Sequence, residues 1–326
     1  MLVPERGYDI KLITVAGIDR KNPLKNIDVP RKLAKGSRQA KNILREFQPD
    51  FVIGTGGYAS APVVKMAQKL GIPTYIHEQN AYPGVTNKML EKHVRKVFLG
   101  FEQASEYFKD PSKQVYAGNP VREEFLVSDR EEARKKLGYD EDDFVILSFG
   151  GSQGAGRINK AMLRVIKEFN GAEGVRVCLA TGSYYYDAIL HALGEEGVET
   201  ADNIEIKEFI HDMADRLAAS DLVISRAGAL TVAEVTVSGA PTIFIPSPIV
   251  AGNHQYHNAM AICREGGAFL IEEKDLENEK LIEKIKNLMD NRDVLRDMSE
   301  KSRACGRRHA TELICDTVLE DCGNAQ

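Results

Sequence analysis

Ten short runs rich in β-branched and aromatic residues recur along the chain, separated by stretches with helical spacing. The first four fall at 51–53, 74–77, 96–99 and 114–116. Six more follow at 144–149, 175–180, 204–206, 222–225, 242–245 and 268–271. Between them, 60–70, 158–169, 213–219 and 230–237 carry apolar residues at helical intervals. Strands that alternate with helices predict parallel sheets covered by helices on both faces. A chain of 326 residues is long enough for two such domains at ~150 residues each. The break is expected just after "GNPVREEF" (118–125), because 128–143 is highly charged and offers little to a core. Past residue 275 the pattern is all helical, over 279–289, 294–305 and 310–319. The expectation is an α/β protein of two doubly wound, Rossmann-like domains with a helical C-terminal tail. Near the start, 9–15 also reads as a strand, with nothing strand-like before it.

Composition narrows the class. A net charge of -5 argues against general nucleic-acid binding. No apolar run approaches the ~20 residues of a membrane span, and the first residues do not have the pattern of a signal peptide. Cys178, Cys263, Cys305, Cys315 and Cys322 form no CxxC pair, which fits reduced thiols in a cytoplasmic protein. The charge is uneven, however. Nine basic residues lie between Arg20 and Arg45 against the single acid Asp28, interleaved with Leu33, Ile43, Leu44 and Phe47. Such a segment is either a solvated helix face or a patch for an anionic lipid surface.

In doubly wound sheets, ligands bind beyond the C-terminal ends of the strands. "GTGGYAS" (54–60) and "GGSQGAG" (150–156) each follow a strand and open a helix. Glycines there let backbone N–H groups approach an anion at a helix N-terminus, although tight strand–helix packing also demands glycine. Neither loop ends in Gly-Lys-Ser/Thr, so neither is an ATPase phosphate loop. After 222–225 comes "RAGALTVAE". A helix beginning near Leu230 would direct the N–H groups of Ala229, Leu230 and Thr231 at a phosphate. Glu234, one turn on, is either a surface residue or a carboxylate for a ribose diol. "HEQN" (77–80) and "HQYHNA" (254–259) place polar groups at strand ends, as sugar binding requires. His254 and His257 lack a third residue at metal-ligand spacing, so a polar sugar loop is favoured over zinc. "YDEDD" (139–143) contains an Asp-x-Asp but precedes its strand, which predicts a solvated loop away from the crevice.

Taken in order, "GTGGYAS", "HEQN", "GNPVR" (118–122), "GGSQGA", "RAGALTVAE" and "HQYHNA" resemble the MurG family of N-acetylglucosaminyltransferases across essentially the whole chain. The resemblance implies a GT-B fold with an acceptor domain over 1–122 and a UDP-sugar domain over 123–304. The last helix, about 305–326, would rejoin the first domain. It further implies inverting transfer of GlcNAc from UDP-GlcNAc to the muramoyl 4-hydroxyl of lipid I, with no metal or other cofactor. Asn80, Arg122, Ser152, Ile210, Ala229, Leu230, Thr231, Glu234 and Gln255 would hold UDP-GlcNAc. Gly56, Gly57, Tyr58, His77 and Glu78 would meet the acceptor. The basic segment would dock on the anionic cytoplasmic face of the membrane, alongside other cell-wall synthesis proteins. Members of the family begin with a further strand and a Gly-Gly-Thr-Gly-Gly-His loop that this sequence does not match. The resemblance therefore assigns no general base here, and it implies a poorly folded first domain with little activity. Two other readings share the fold: a UDP-GlcNAc 2-epimerase, and a catalytically impaired cell-wall binding protein.

Overall fold

A computed structural model describes residues 2–17, 27–151, 153–276 and 280–323. The chain forms two compact units. The first comprises Met1–Gln79, Pro83–Ala117 and Glu312–Gln326, and the second Asn80–Tyr82 and Gly118–Thr311.

The first unit is built on a parallel sheet of β1 (Val52–Gly54), β2 (Thr74–Glu78), β3 (Lys96–Leu99) and β4 (Gln114–Tyr116), paired in that order. Alternate side chains enter opposite cores. Ile76, Val97 and Leu99 pack with Val64 and Leu90 on one face. Tyr75 and Phe98 pack on the other with Ile314 and Val318 from the terminal helix Ala310–Gly323. That helix is also pinned by polar bonds. The Tyr75 hydroxyl donates to Asp321 Oδ2 at 2.5 Å, and Arg95 Nη1 lies 3.0 Å from the same oxygen.

The expected strand at 9–15 does not form. Among the described residues β1 pairs only with β2, and 9–15 makes no ladder to its other edge. Instead Thr14 N donates to Gln39 Oε1 at 2.7 Å, where the segment crosses the helix Val29–Phe47. Gly36 permits that crossing, since a Cβ there would stand 2.1 Å from Thr14 O. The same helix buries Gly36, Ala40 and Leu44 and leaves Arg31, Lys32, Lys35, Arg38 and Arg45 exposed. Leu33 and Phe47 are also exposed, Ile43 is half-buried, and Arg20, Lys21 and Lys25 lie outside the described residues.

In the second unit β5 (Phe144–Phe149), β6 (Val175–Ala180), β7 (Ile204–Lys207), β8 (Leu222–Ser225), β9 (Thr242–Phe244) and β10 (Ala268–Leu270) form one parallel sheet. Its order is β10-β9-β8-β5-β6-β7. The strand order reverses between β5 and β8, whose last residues Phe149 and Ser225 are paired. At such a switch point the flanking loops part and leave a crevice. The core beneath it joins Ile146 and Ile224 to Ile158, Met162 and Val165 of the helix Gly156–Phe169.

The 139–143 loop sits before β5, away from that crevice, and Asp140, Glu141 and Asp142 are solvent-exposed there as expected, while the two ends of the loop turn inward. Tyr139 and Asp143 are buried. The Arg134 guanidinium donates to the carbonyls of Asp140, Glu141 and Asp143 at 2.9, 2.6 and 2.7 Å, and Arg176 pairs with the Asp143 carboxylate. Gathering these groups satisfies a turn that would otherwise need water.

Candidate active site

Two glycine loops leave their sheets in the same way, and the structure separates packing glycines from open ones. In the second unit, a Cβ on Gly150 would stand 2.3 Å from Ala155 N, and one on Gly154 only 1.9 Å from Thr181 O. Those positions need glycine for close approach. Gly151 has φ +87 with nothing within 4 Å of its missing Cβ, so it alone turns backbone toward open space. Ser152 lies outside the described residues. In the first unit, Gly54 is the packing glycine, its Cβ position 2.4 Å from Ser60 Oγ and 2.7 Å from a Val64 methyl. Gly57 (φ +74) has nothing within 4 Å and begins the helix Gly57–Lys69, and its N-cap Gly56 (φ +84) has room for a Cβ in ordinary contact with Asn87 and Gln79. Tyr58 is exposed beside them, its ring over Gly17.

At the switch point the helix Ala229–Ser238 starts beyond Gly228, which supplies no side-chain cap. Val232 N is the first to find an intrahelical acceptor, Gly228 O at 2.9 Å, so the N–H groups of Ala229, Leu230 and Thr231 point out of the helix end. Glu234 sits one turn further on. Burial pushes its carboxyl up to about 7, Arg122 opposes the shift, and Glu124 adds to it. Arg122 is half-exposed, 2.9 Å from Glu124 Oε1 and stacked 5.0 Å from the Phe125 ring. Arg122, Glu124 and Glu234 therefore share one electrostatic environment. The Ile210 side chain is buried, so only its backbone is left to present to a ligand, beside the exposed ring of Phe209.

The "HEQN" run is divided between the units. Asn80 belongs to the second, where its Oδ1 accepts from Asn258 Nδ2 at 3.1 Å. Asn258, fully buried, also donates to Ala227 O and accepts from Ala81 N at 2.8 Å. Tyr82 stacks on His257 at 5.2 Å. Gln255 Oε1 accepts from Ser247 N at 2.8 Å, which leaves its amide N–H groups as donors. Asn80, which follows β2 in the chain, is thereby held on Asn258 of the helix His254–Cys263, the same helix that carries Gln255.

His77 and Glu78 belong to the first unit and are buried. Glu78 Oε2 accepts from Gly84 N and Asn87 Nδ2, both at 2.9 Å, and so closes the turn after β2. His77 Nδ1 lies 3.1 Å from Gln79 Nε2, and its carbonyl accepts from Asn87. Both residues shape the loop from within, and the open surface is left to Gly56, Gly57 and Tyr58. Sequence reasoning missed Asn87, Tyr82 and Glu124. Only Tyr82 carried a signal, as an aromatic ring inside a polar run. No group of three or more His, Cys, Asp or Glu suited to a metal assembles among the described residues.

Residues 145–314 match the C-terminal domain model of glycosyltransferase family 28, and residues 1–99 match its N-terminal domain model. The chain belongs to glycosyltransferase family 28. A relative from Acetivibrio thermocellus is 44% identical over 98% of this chain and 86% of its own length. One from Clostridioides difficile is 41% identical over 98% and 78%. Both are named UDP-N-acetylglucosamine--N-acetylmuramyl-(pentapeptide) pyrophosphoryl-undecaprenol N-acetylglucosamine transferase. Among solved structures, Acinetobacter baumannii MurG superposes with a TM-score of 0.76 at 27% identity, covering 98% of this chain and 86% of that one. A UDP-GlcNAc 2-epimerase from Neisseria meningitidis superposes at 0.65 with 15% identity, covering 93% and 83%, a likeness of fold alone. The family-28 chain is thus a GT-B glycosyltransferase dependent on a UDP-sugar, and both glycine loops lie within matched domains.

Proposed function

We infer that this chain transfers GlcNAc from UDP-GlcNAc to undecaprenyl-pyrophosphoryl-MurNAc-pentapeptide, lipid I, giving lipid II. The observation that carries the reading is the 44% identity across nearly the whole chain to transferases named for this reaction. The geometry of the second unit is suited to the donor. Three N–H groups at Ala229, Leu230 and Thr231, with the positive end of their helix, can take up the charge that develops on departing UDP. Glu234 as a carboxylate accepts both ribose hydroxyl protons, Ile210 offers backbone to the uracil, and Arg122 is assigned to the phosphates, as is Ser152 on its place in the sequence alone. Asn80 and the Gln255 amide hold GlcNAc hydroxyls. In the first unit Gly56, Gly57 and Tyr58 face the lipid-linked diphosphate, with His77 and Glu78 shaping that loop.

No helix among the described residues is long and apolar enough to cross a membrane. Attachment to the cytoplasmic face by the exposed basic side of the helix Val29–Phe47, with Leu33 and Phe47 inserted, fits that finding and the lipid substrate. The direct assay supplies UDP-GlcNAc with and without a soluble lipid I analogue and follows UDP release and the disaccharide product. UDP release that requires the acceptor is expected. Conversion of UDP-GlcNAc to its 2-epimer without acceptor would overturn the transferase reading.

A further inference from the structure

The helix Arg292–Cys305 buries Leu295, Met298 and Ser302 and carries Arg292, Arg296, Ser299 and Arg303 along the adjoining stripe. Their spacing of four, three and four places them on one face. That face closes a cavity of about 290 Å³ at the N-terminal ends of β8 and β9, the edge of the sheet opposite the glycosyltransferase loops. Its volume falls at the lower limit for ligand pockets, ~300 Å³. Arg130 completes the lining, so four arginines face one carboxylate, Asp221.

Asp221 is already saturated. Its Oδ1 pairs with Arg130 at 2.7 Å and Arg292 at 3.2 Å; its Oδ2 takes Arg134 at 2.8 Å and Val145 N at 2.8 Å. It has no capacity left for Arg296 or Arg303. Among the described residues Arg296 pairs only with the exposed Asp293 at 2.8 Å, a contact that solvent competes with readily. Arg303 has no hydrogen-bond or ion-pair partner among the described residues, yet it is not loose. It lies against Gly239, where a Cβ would stand 2.1 Å from its Nε. Glycine at that helix end (φ +69) provides the seat.

We propose that this cavity is a second anion site, which takes a phosphate or diphosphate group on Arg296 and Arg303 with Arg130 and Arg292 behind them. Guanidinium forks match phosphate oxygens in pairs, and an uncompensated cluster of them lowers its own repulsion by binding a dianion. The helix Ala229–Ser238 runs from the Ala229 N–H groups to Gly239 at this cavity, so one element joins it to the proposed UDP site.

The test titrates inorganic pyrophosphate into the full chain held at saturating UDP, by calorimetry, and sediments the chain with phosphatidylglycerol vesicles. The wild type is compared with R296Q/R303Q and with K301Q, which removes a charge from another face of the same helix. Pyrophosphate binding that survives UDP, persists in K301Q and weakens at least about tenfold in R296Q/R303Q is expected, since each lost guanidinium removes a charge-assisted bond. Loss of vesicle sedimentation alone in R296Q/R303Q would support the site and make the source a lipid headgroup. Binding abolished by UDP, or equal in all three proteins on both ligands, would overturn it.

Discussion

Burial raises the Glu234 carboxyl from 4.5 to about 7, so between those values the folded chain holds a proton that the unfolded chain has released. Stability from this group therefore falls as pH rises through that window. Ribose binding needs the carboxylate and should strengthen as pH rises through about 7. The UDP affinities of wild type and Glu234→Gln, measured by calorimetry, should diverge from pH 6 to pH 8. A gap that stays constant would remove Glu234 from the ribose. The glycines make a second residue-scale case. Gly54→Ala drives a methyl into Ser60 and Val64 and should cost ~1–3 kcal/mol in urea unfolding. Gly57→Ala meets no atom and costs only backbone strain, ~1–2 kcal/mol, but should raise the lipid I requirement while UDP affinity holds. The glycine loops were legible because they follow strands and open helices. The division of labour within them was not, because it depends on how the helix brings Ser60 and Val64 back over Gly54 and on Thr181 reaching Gly154 from the end of another strand. Glu78 was legible as a polar residue at a strand end, but its bonding was not. Its partners Gly84 and Asn87 fold back onto it across a turn that spacing does not reveal.

At the scale of elements, all ten expected β-runs outside 9–15 form strands, several shifted by a residue at one end. Buried parallel strands announce themselves by continuous apolar runs. Segment 9–15 shows the limit: alternation describes a pleated surface, but only a neighbouring strand makes it one. The terminal helix Ala310–Gly323 shields Tyr75 and Phe98. A chain ended after Gly306 should bare both rings, lose several kcal/mol at ~1.5–3 per large side chain, and bind 8-anilinonaphthalene-1-sulfonate. The basic helix Val29–Phe47 makes its own prediction. Replacing Arg31, Lys35 and Arg38 by Gln removes ~1 kcal/mol each at an anionic surface. Affinity for phosphatidylglycerol vesicles should drop about a hundredfold, with turnover of a soluble acceptor unchanged.

For the whole molecule, the proposed UDP ligands Arg122, Ile210, Ala229, Glu234 and Gln255 all lie in the second unit. UDP at a hundred times its dissociation constant should add ~2.7 kcal/mol to that unit. Scanning calorimetry should show one transition moving upward and another staying in place; two that rise together would place nucleotide contacts in both units. The units are not consecutive halves of the gene. The chain passes from the first to the second at 79/80, returns at 82/83, leaves again at 117/118 and comes back at 311/312. No single cut in the coding sequence can deliver either unit whole. A chimaera that exchanges acceptor halves between relatives must carry the last residues along with the first, and leave three codons in the middle behind.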